Sequence, residues 1–76
     1  MKEHLKDWLH DELEDAVKYA EMAEGAEGFE RQFLHDMAHE EYEHACAVWR
    51  MMVHEHMTDG IDQHKIFHEA HEKVFK

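Results

Sequence analysis

The sequence contains no proline and a single cysteine, and its three glycines fall at only two places along 76 residues. One cysteine cannot form an intramolecular disulfide, and a lone thiol in the apolar run around Cys46 is typical of a small buried side chain in a reducing compartment. No uncharged stretch approaches the length of a membrane span, and the N-terminus has no apolar segment of secretory length. These absences predict a cytoplasmic protein that does not bind membranes.

Basic residues are also scarce, since 8 Lys and Arg side chains stand against 19 Asp and Glu side chains, giving a formal net charge of -11. Such a surface repels nucleic acid and attracts cations. The chain has 10 histidines, and imidazoles together with carboxylates suit zinc, iron, copper, nickel or manganese better than calcium. Because a chain this short buries only about 60% of its unfolded surface, we expect a metal or a second chain to stabilise it.

The absence of proline and the abundance of Ala, Glu, Lys, Leu and Met predict an all-α fold. The glycines mark two turns, one from Gly25 to Gly28 and one at Gly60. These turns divide a single domain into helices of about residues 3–24, 29–57 and 61–75, which form an antiparallel hairpin followed by a short C-terminal helix.

Apolar periodicity predicts which side of each long helix faces inward. Alternating steps of four and three residues give the stripe of the first helix: Leu5, Leu9, Glu12, Ala16, Tyr19 and Ala23. The same steps in the second helix give Leu34, Met37, Glu41, His44, Val48, Met51 and Glu55. The carboxylates of Glu12 and Glu41 and the imidazole of His44 therefore lie where apolar side chains are expected. We interpret four aromatic side chains as packing residues: Trp8, Trp49, Phe29 and Phe33.

The two carboxylates that lie in the apolar stripes, those of Glu12 and Glu41, should meet across the hairpin. Glu12 precedes Gly25 by 13 residues and Glu41 follows Gly28 by 13 residues, so folding brings them to the same level. Two charged carboxylates in an apolar interface are heavily penalised unless they take up a proton or share a cation. No Lys or Arg lies in either stripe near this level. A divalent metal held with the help of His44 is the simplest arrangement that removes the penalty.

A purely structural role for these residues stays open. With 13 Glu and 10 His in the chain, a Glu followed three residues later by His is expected about once or twice by chance. Taken alone, the spacing of Glu41 and His44 is therefore weak support for a metal site. A helical bundle with protonated acids or bridging waters would also explain it. The conjunction with the opposed Glu12 is what favours a metal site.

Glu-x6-Tyr, from Glu12 to Tyr19, and Glu-x2-His, from Glu41 to His44, resemble one half of the metal site of ferritin-like di-iron carboxylate proteins. The chain looks most like the encapsulated ferritins, which have a two-helix hairpin plus a short helix and complete their site between two chains. The resemblance implies a homodimer or higher homo-oligomer in which paired hairpins form a four-helix bundle around two irons. It implies a ferroxidase that oxidises ferrous ion with dioxygen or peroxide, for iron storage or detoxification.

The resemblance also implies residue roles. Glu41 would bridge the two irons, His44 and Glu12 would be terminal ligands, and the Tyr19 hydroxyl would hold a ligand carboxylate of the partner chain. Asp11 and Glu14 match acidic positions that attract incoming ferrous ions, although a solvated helix face explains them equally well. Encapsulated ferritins carry a tail that docks them into an encapsulin shell. Residues 71–76 do not contain one, so confinement in such a shell would need a tail outside this chain.

Two functions of other classes remain alternatives. A non-catalytic buffer for zinc or iron would bind metal on Glu- and His-rich helix faces without consuming oxygen. A plain helical oligomerisation module would assemble without metal. A rubrerythrin-like peroxide reductase is disfavoured, because one cysteine cannot build the four-cysteine iron site of those proteins. The spacings in the third helix allow chelation, but a polar face or an oligomer contact explains its histidines as well: His64, His68 and His71.

Overall fold

A computed structural model describes residues 4–76 of the chain. Within these residues there are three α-helices and no strands: α1 (Leu5–Glu24), α2 (Gly28–His54) and α3 (Gln63–Val74). The predicted all-α hairpin with a short third helix is therefore confirmed for one chain. Residue 3, where the first helix was predicted to begin, lies outside the described residues. No helix among residues 4–76 is long and apolar enough to cross a bilayer.

The turn between α1 and α2 sets the level at which the two long helices face each other. Gly28 has a φ of 59°, in the left-handed region that glycine adopts without strain. The N–H groups of Gly25 and Ala26 donate to the carbonyl oxygens of Met22 and Ala23, which closes the end of α1. Beyond the turn, four buried alanines of the two long helices belong to the core clusters: Ala16, Ala20, Ala38 and Ala45.

The second turn makes α2 shorter than predicted. α2 ends at His54, and His56 adopts a φ of 57°, which the helical pattern through residue 57 did not anticipate. The Met57 N–H donates to the Met52 carbonyl oxygen across this turn. α3 then begins at Gln63, after Asp62, whose side chain accepts a hydrogen bond of 3.3 Å from the Lys65 backbone N–H. This N-cap satisfies an otherwise unpaired donor of the first turn of α3.

The third helix covers one side of the hairpin. Phe67 and Ala70 of α3 are buried in the main core cluster with Leu9, Leu13 and Met52. The Phe67 ring also meets the rings of two α2 residues edge to face: Tyr42, at 5.7 Å between centroids, and Trp49, at 6.0 Å. Ion pairs tie the end of α3 to the end of α1: Lys73 with Glu21 and Lys76 with Glu24.

The opposite side of the hairpin stays uncovered in a single chain. Trp8, Phe29 and Phe33, predicted as packing residues, are exposed, Phe29 to 87%, and Met51 of the predicted inward stripe is 49% exposed. Within one chain these four are not covered, because α3 packs on the other side, and their packing role stays a prediction; for Trp49, which packs on Phe67, the prediction is confirmed. We call the uncovered side the open face. Its residues follow one another along each helix at steps of three, four or seven positions: Trp8, Glu12, Tyr19 and Met22 of α1, and Phe33, Met37, Glu41, His44 and Met51 of α2.

Candidate metal centre

Glu12, Glu41 and His44 come together on the open face, midway along the hairpin. One ligand atom from each lies within 4.8 Å of the others. The His44 Nδ1 atom is 3.3 Å from Glu12 Oε2 and 3.6 Å from Glu41 Oε1. Among residues 4–76, which contain many His, Asp and Glu side chains, this is the one group of three or more such donors close enough to hold an ion.

Local geometry explains the grouping. Glu41 and His44 are three residues apart on α2, and neighbours at that spacing share one face of a helix. Glu12 reaches them from α1 because the two carboxylates are equally far from the Gly25–Gly28 turn. The predicted juxtaposition is thus present in the structure, and only two helices are needed to make it.

The centre is shielded on its carboxylate side and open on its imidazole side. The Glu12 and Glu41 side chains are each 16% exposed, whereas that of His44 is 59% exposed. The open face therefore exposes the His44 imidazole to solvent, while the two carboxylates lie beneath it.

The charged form of the Glu41 carboxylate is disfavoured in this arrangement. Its pKa is raised from 4.5 to about 6, first because burial penalises the charged carboxylate, and then because Glu12 favours the protonated form by accepting a hydrogen bond and by charge repulsion. The Asp15 charge adds to the rise, and His44 opposes it. A cation at the centre would remove the same repulsion that the proton relieves.

The two oxygens of Glu12 have different surroundings. Oε1 accepts a hydrogen bond of 3.0 Å from the indole Nε1–H of Trp8, one helical turn earlier. Oε2 is buried and has no hydrogen-bond partner in the structure, although His44 Nδ1 lies 3.3 Å away. A buried acceptor without a partner is costly. An ion bound between the three residues would satisfy it.

Sequence reasoning missed Trp8 and Asp15 as parts of this centre. Trp8 was interpreted as a packing residue, although its spacing of four residues from Glu12 was a usable signal for a side-chain contact. No role for Asp15 is predicted from the sequence, yet it is half-buried and its charge acts on Glu41. Its spacing of three residues from Glu12 places it on the same side of α1.

The other predicted residues lie around the centre rather than in it. Tyr19 is half-buried beside the alanines of the helix contact, and in the described chain its hydroxyl makes no hydrogen bond to Glu12, Glu41 or His44. Its predicted bond to a partner chain stays a prediction. Asp11 is exposed, and Glu14 lines a groove between α1 and α3 rather than the open face. Their role in attracting ferrous ion likewise stays a prediction.

The α3 histidines do not form a second centre within the described residues. His64, His68 and His71 line a groove of about 350 Å³ with Tyr42 and other residues of α2 and α3. The His64 and His68 rings are 5.5 Å apart, and His68 pairs with Glu72 at 3.2 Å. No third ligand converges on them, since only the centre on the open face meets that condition in residues 4–76.

The donor set fits a borderline divalent metal. Two carboxylate oxygens and one imidazole nitrogen suit ferrous, zinc or manganese ions, and they leave coordination positions free for another group or a second chain. Comparison with protein-family models, with curated proteins and with solved structures finds no match for this chain. The class is therefore defined by fold and donors alone: a helical hairpin with a third helix and one Glu–Glu–His group that could hold a metal.

Glu41→Gln is expected to stabilise the metal-free protein at neutral pH. Since the pKa of Glu41 is raised on folding, the stability this group contributes is fully present below pH 4.5 and is lost as the pH rises through about 6. Glutamine keeps the uncharged form, so at about pH 7.5 the gain should be about 1 kcal/mol after allowance for solvent screening, or several degrees in melting temperature.

Thermal melts in chelator at about pH 7.5 and about pH 4 would measure this effect. The exposed neighbour Glu40 supplies the control, because Glu40→Gln removes the same charge from an acidic surface without touching the centre. The Glu41 variant should exceed this control at neutral pH and match it at acid pH. An equal difference at both pH values would contradict the raised pKa.

Proposed function

We propose that the protein is a ferroxidase whose di-iron centre is shared between two copies of the chain. The observation that carries this proposal is the Glu12–Glu41–His44 group, which combines three metal donors with a buried, unpartnered carboxylate oxygen on an uncovered face. The arrangement corresponds to half of the ligand set of a ferritin-like di-iron site, with one lone Glu and one Glu-x-x-His pair.

The open face supports the need for a second chain. Three donors leave a ferrous ion with free positions, and a two-fold axis beside the centre would double the set to four carboxylates and two imidazoles around two ions. The same face exposes Trp8, Met51 and Phe33, which α3 does not cover. Next to the centre, Trp8, His44, Ala47 and Met51 line a groove of about 240 Å³ with little polar surface, which a partner side chain could fill.

Charge explains why the ions would complete this dimer. A two-fold interface places each patch against its own copy, so the Glu12, Glu41 and Asp15 charges of both chains would meet. Two divalent ions carry four positive charges, which balance the four ligand carboxylates. Ferrous ion is the substrate in this proposal, and dioxygen or peroxide accepts its electrons. The exposed His44 side provides the route by which ions reach the carboxylates.

The second candidate function is a non-catalytic metal buffer. The donor set fits this function too, because two carboxylates and one imidazole bind zinc as well as ferrous ion. The exposed pair His64 and His68 would add weaker binding on α3. The two functions differ in one measurable quantity, which is oxygen consumption.

Metal content and oxygen uptake measured on the same sample test the proposed function. Anaerobic titration with ferrous ion should saturate at about one tightly bound ion per chain, and admission of oxygen should then give uptake above the protein-free rate. Binding without uptake would establish the buffer instead. Saturation at the same level in a Glu12→Ala, Glu41→Ala double variant would place the ions elsewhere and overturn the assignment.

A further inference from the structure

We propose that Trp8 is a positioning residue for Glu12, holding this carboxylate so that Oε2 alone is offered to a bound cation. The proposal rests on metal binding at the proposed centre, but it does not depend on iron oxidation there. It assigns a role to a side chain that composition and periodicity indicate only as a packing residue.

The hydrogen bond from Trp8 makes the two Glu12 oxygens different in their bonding. The Trp8 indole N–H is 3.0 Å from Oε1, while Oε2 turns towards His44 and stays without a hydrogen-bond partner. An indole is a donor only, so it cannot exchange roles with the carboxylate or bind the cation through its nitrogen. The oxygen that faces His44 is therefore the one left free for an ion.

Packing within one chain does not explain this orientation. Trp8 is 45% exposed and lies on the open face, away from α3, yet its polar edge is turned to Glu12. The bond joins residues four apart on one helix, so it needs no contact from a partner chain. Glu12 thus loses part of its side-chain freedom before a cation arrives, which lowers the entropic cost of binding.

Two substitutions distinguish the effect of the hydrogen bond on metal binding from the effect of the aromatic ring. Trp8→Phe keeps an aromatic ring on the open face and removes the donor, whereas Trp8→Gln keeps an N–H donor and removes the ring. With zinc as the probe, Trp8→Phe should bind about 10-fold more weakly than the parent chain, the usual effect of losing an outer hydrogen bond to a ligand. Trp8→Gln should bind more tightly than Trp8→Phe.

Trp49→Phe is the matched control, because Trp49 packs on Phe67 on the other side of the hairpin. It should bind zinc like the parent, and it leaves Trp8 as the one tryptophan of a chain that has two. In that variant the single indole N–H resonance and the tryptophan emission should both change on zinc binding and saturate at the same stoichiometry as the calorimetric titration. These readouts report the Trp8 contact directly, and circular dichroism checks that each variant is folded.

Unchanged affinity in Trp8→Phe, tighter binding by Trp8→Phe than by Trp8→Gln, or an equal loss in Trp49→Phe would overturn the positioning role. An indole N–H resonance that does not change when zinc is added would also overturn this role. If the parent chain fails to bind zinc, the metal centre itself is wrong. If it binds zinc but does not consume oxygen with ferrous ion, only the ferroxidase function fails and the role of Trp8 is unaffected.

Discussion

Alanine at Glu41 or His44 is expected to reduce protein-dependent ferric ion formation by roughly 100-fold or more, to the level of the buffer alone. Residues 4–76 of each chain bring three donors to the centre. Removing one therefore leaves a bound ion with too few ligands, and it does so in both halves of a shared centre. Stopped-flow absorbance of ferric ion, corrected for protein-free oxidation, measures the rate. Oxygen uptake in the same solutions checks that ferrous ion is the electron donor.

The chain offers a matched control for each substitution. Glu40 neighbours Glu41 but is exposed, and His54 is an exposed histidine at the end of α2. Glu40→Ala and His54→Ala should therefore retain nearly the full rate. Glu41→Ala removes the burial penalty and the repulsion from Glu12, and circular dichroism checks that this variant is folded before its rate is compared. Similar rates in Glu40→Ala and Glu41→Ala would refute the assignment of the centre.

A divalent ion is expected to convert the chain from monomer to dimer. In chelator, the acidic centres of two copies oppose each other across the two-fold axis, and the exposed apolar side chains alone must overcome that repulsion. Ions that bind only the paired state shift the equilibrium by mass action, and a 100-fold excess over the dissociation constant contributes about 2.7 kcal/mol. Analytical ultracentrifugation should show the 9.2 kDa chain in chelator and its dimer with zinc or anaerobic ferrous ion.

Met51 and Val53 allow the interface to be tested apart from the ligands. Both are 49% exposed on α2. A step of two positions along an α-helix turns the side-chain direction by about 200°, so Val53 faces away from the open face. Met51→Asp should prevent the metal-driven dimer while leaving all three donors in each chain, and Val53→Asp should leave assembly unchanged. Dimers of equal strength in both variants, or a mass distribution that ignores metal, would contradict a centre shared across this face.

Much of the candidate centre follows from local geometry that a sequence contains. Glu41 and His44 share a helix face because they are three residues apart, and Glu12 lies opposite because it is as far from the turn as Glu41 is. The helices themselves follow from strong helix formers and from glycines confined to two turns. For these reasons the all-α hairpin and the meeting of the three side chains could be predicted before any coordinates were known.

The contacts that complete the centre depend on packing between distant segments. Periodicity gives each long helix one apolar stripe, but it does not say which margin of that stripe α3 will cover. Phe67 packs against Tyr42 and Trp49, which leaves Trp8 and Met51 exposed on the opposite margin.

The amino-acid sequence by itself therefore determined which three donors meet and at what height on the hairpin. Only the tertiary structure decided that they face an uncovered side, that Trp8 holds one oxygen of Glu12, and that the other oxygen is left without a partner. The physical reason is that helical spacing fixes the direction of a side chain, whereas its burial and its hydrogen bonds depend on which segments pack around it.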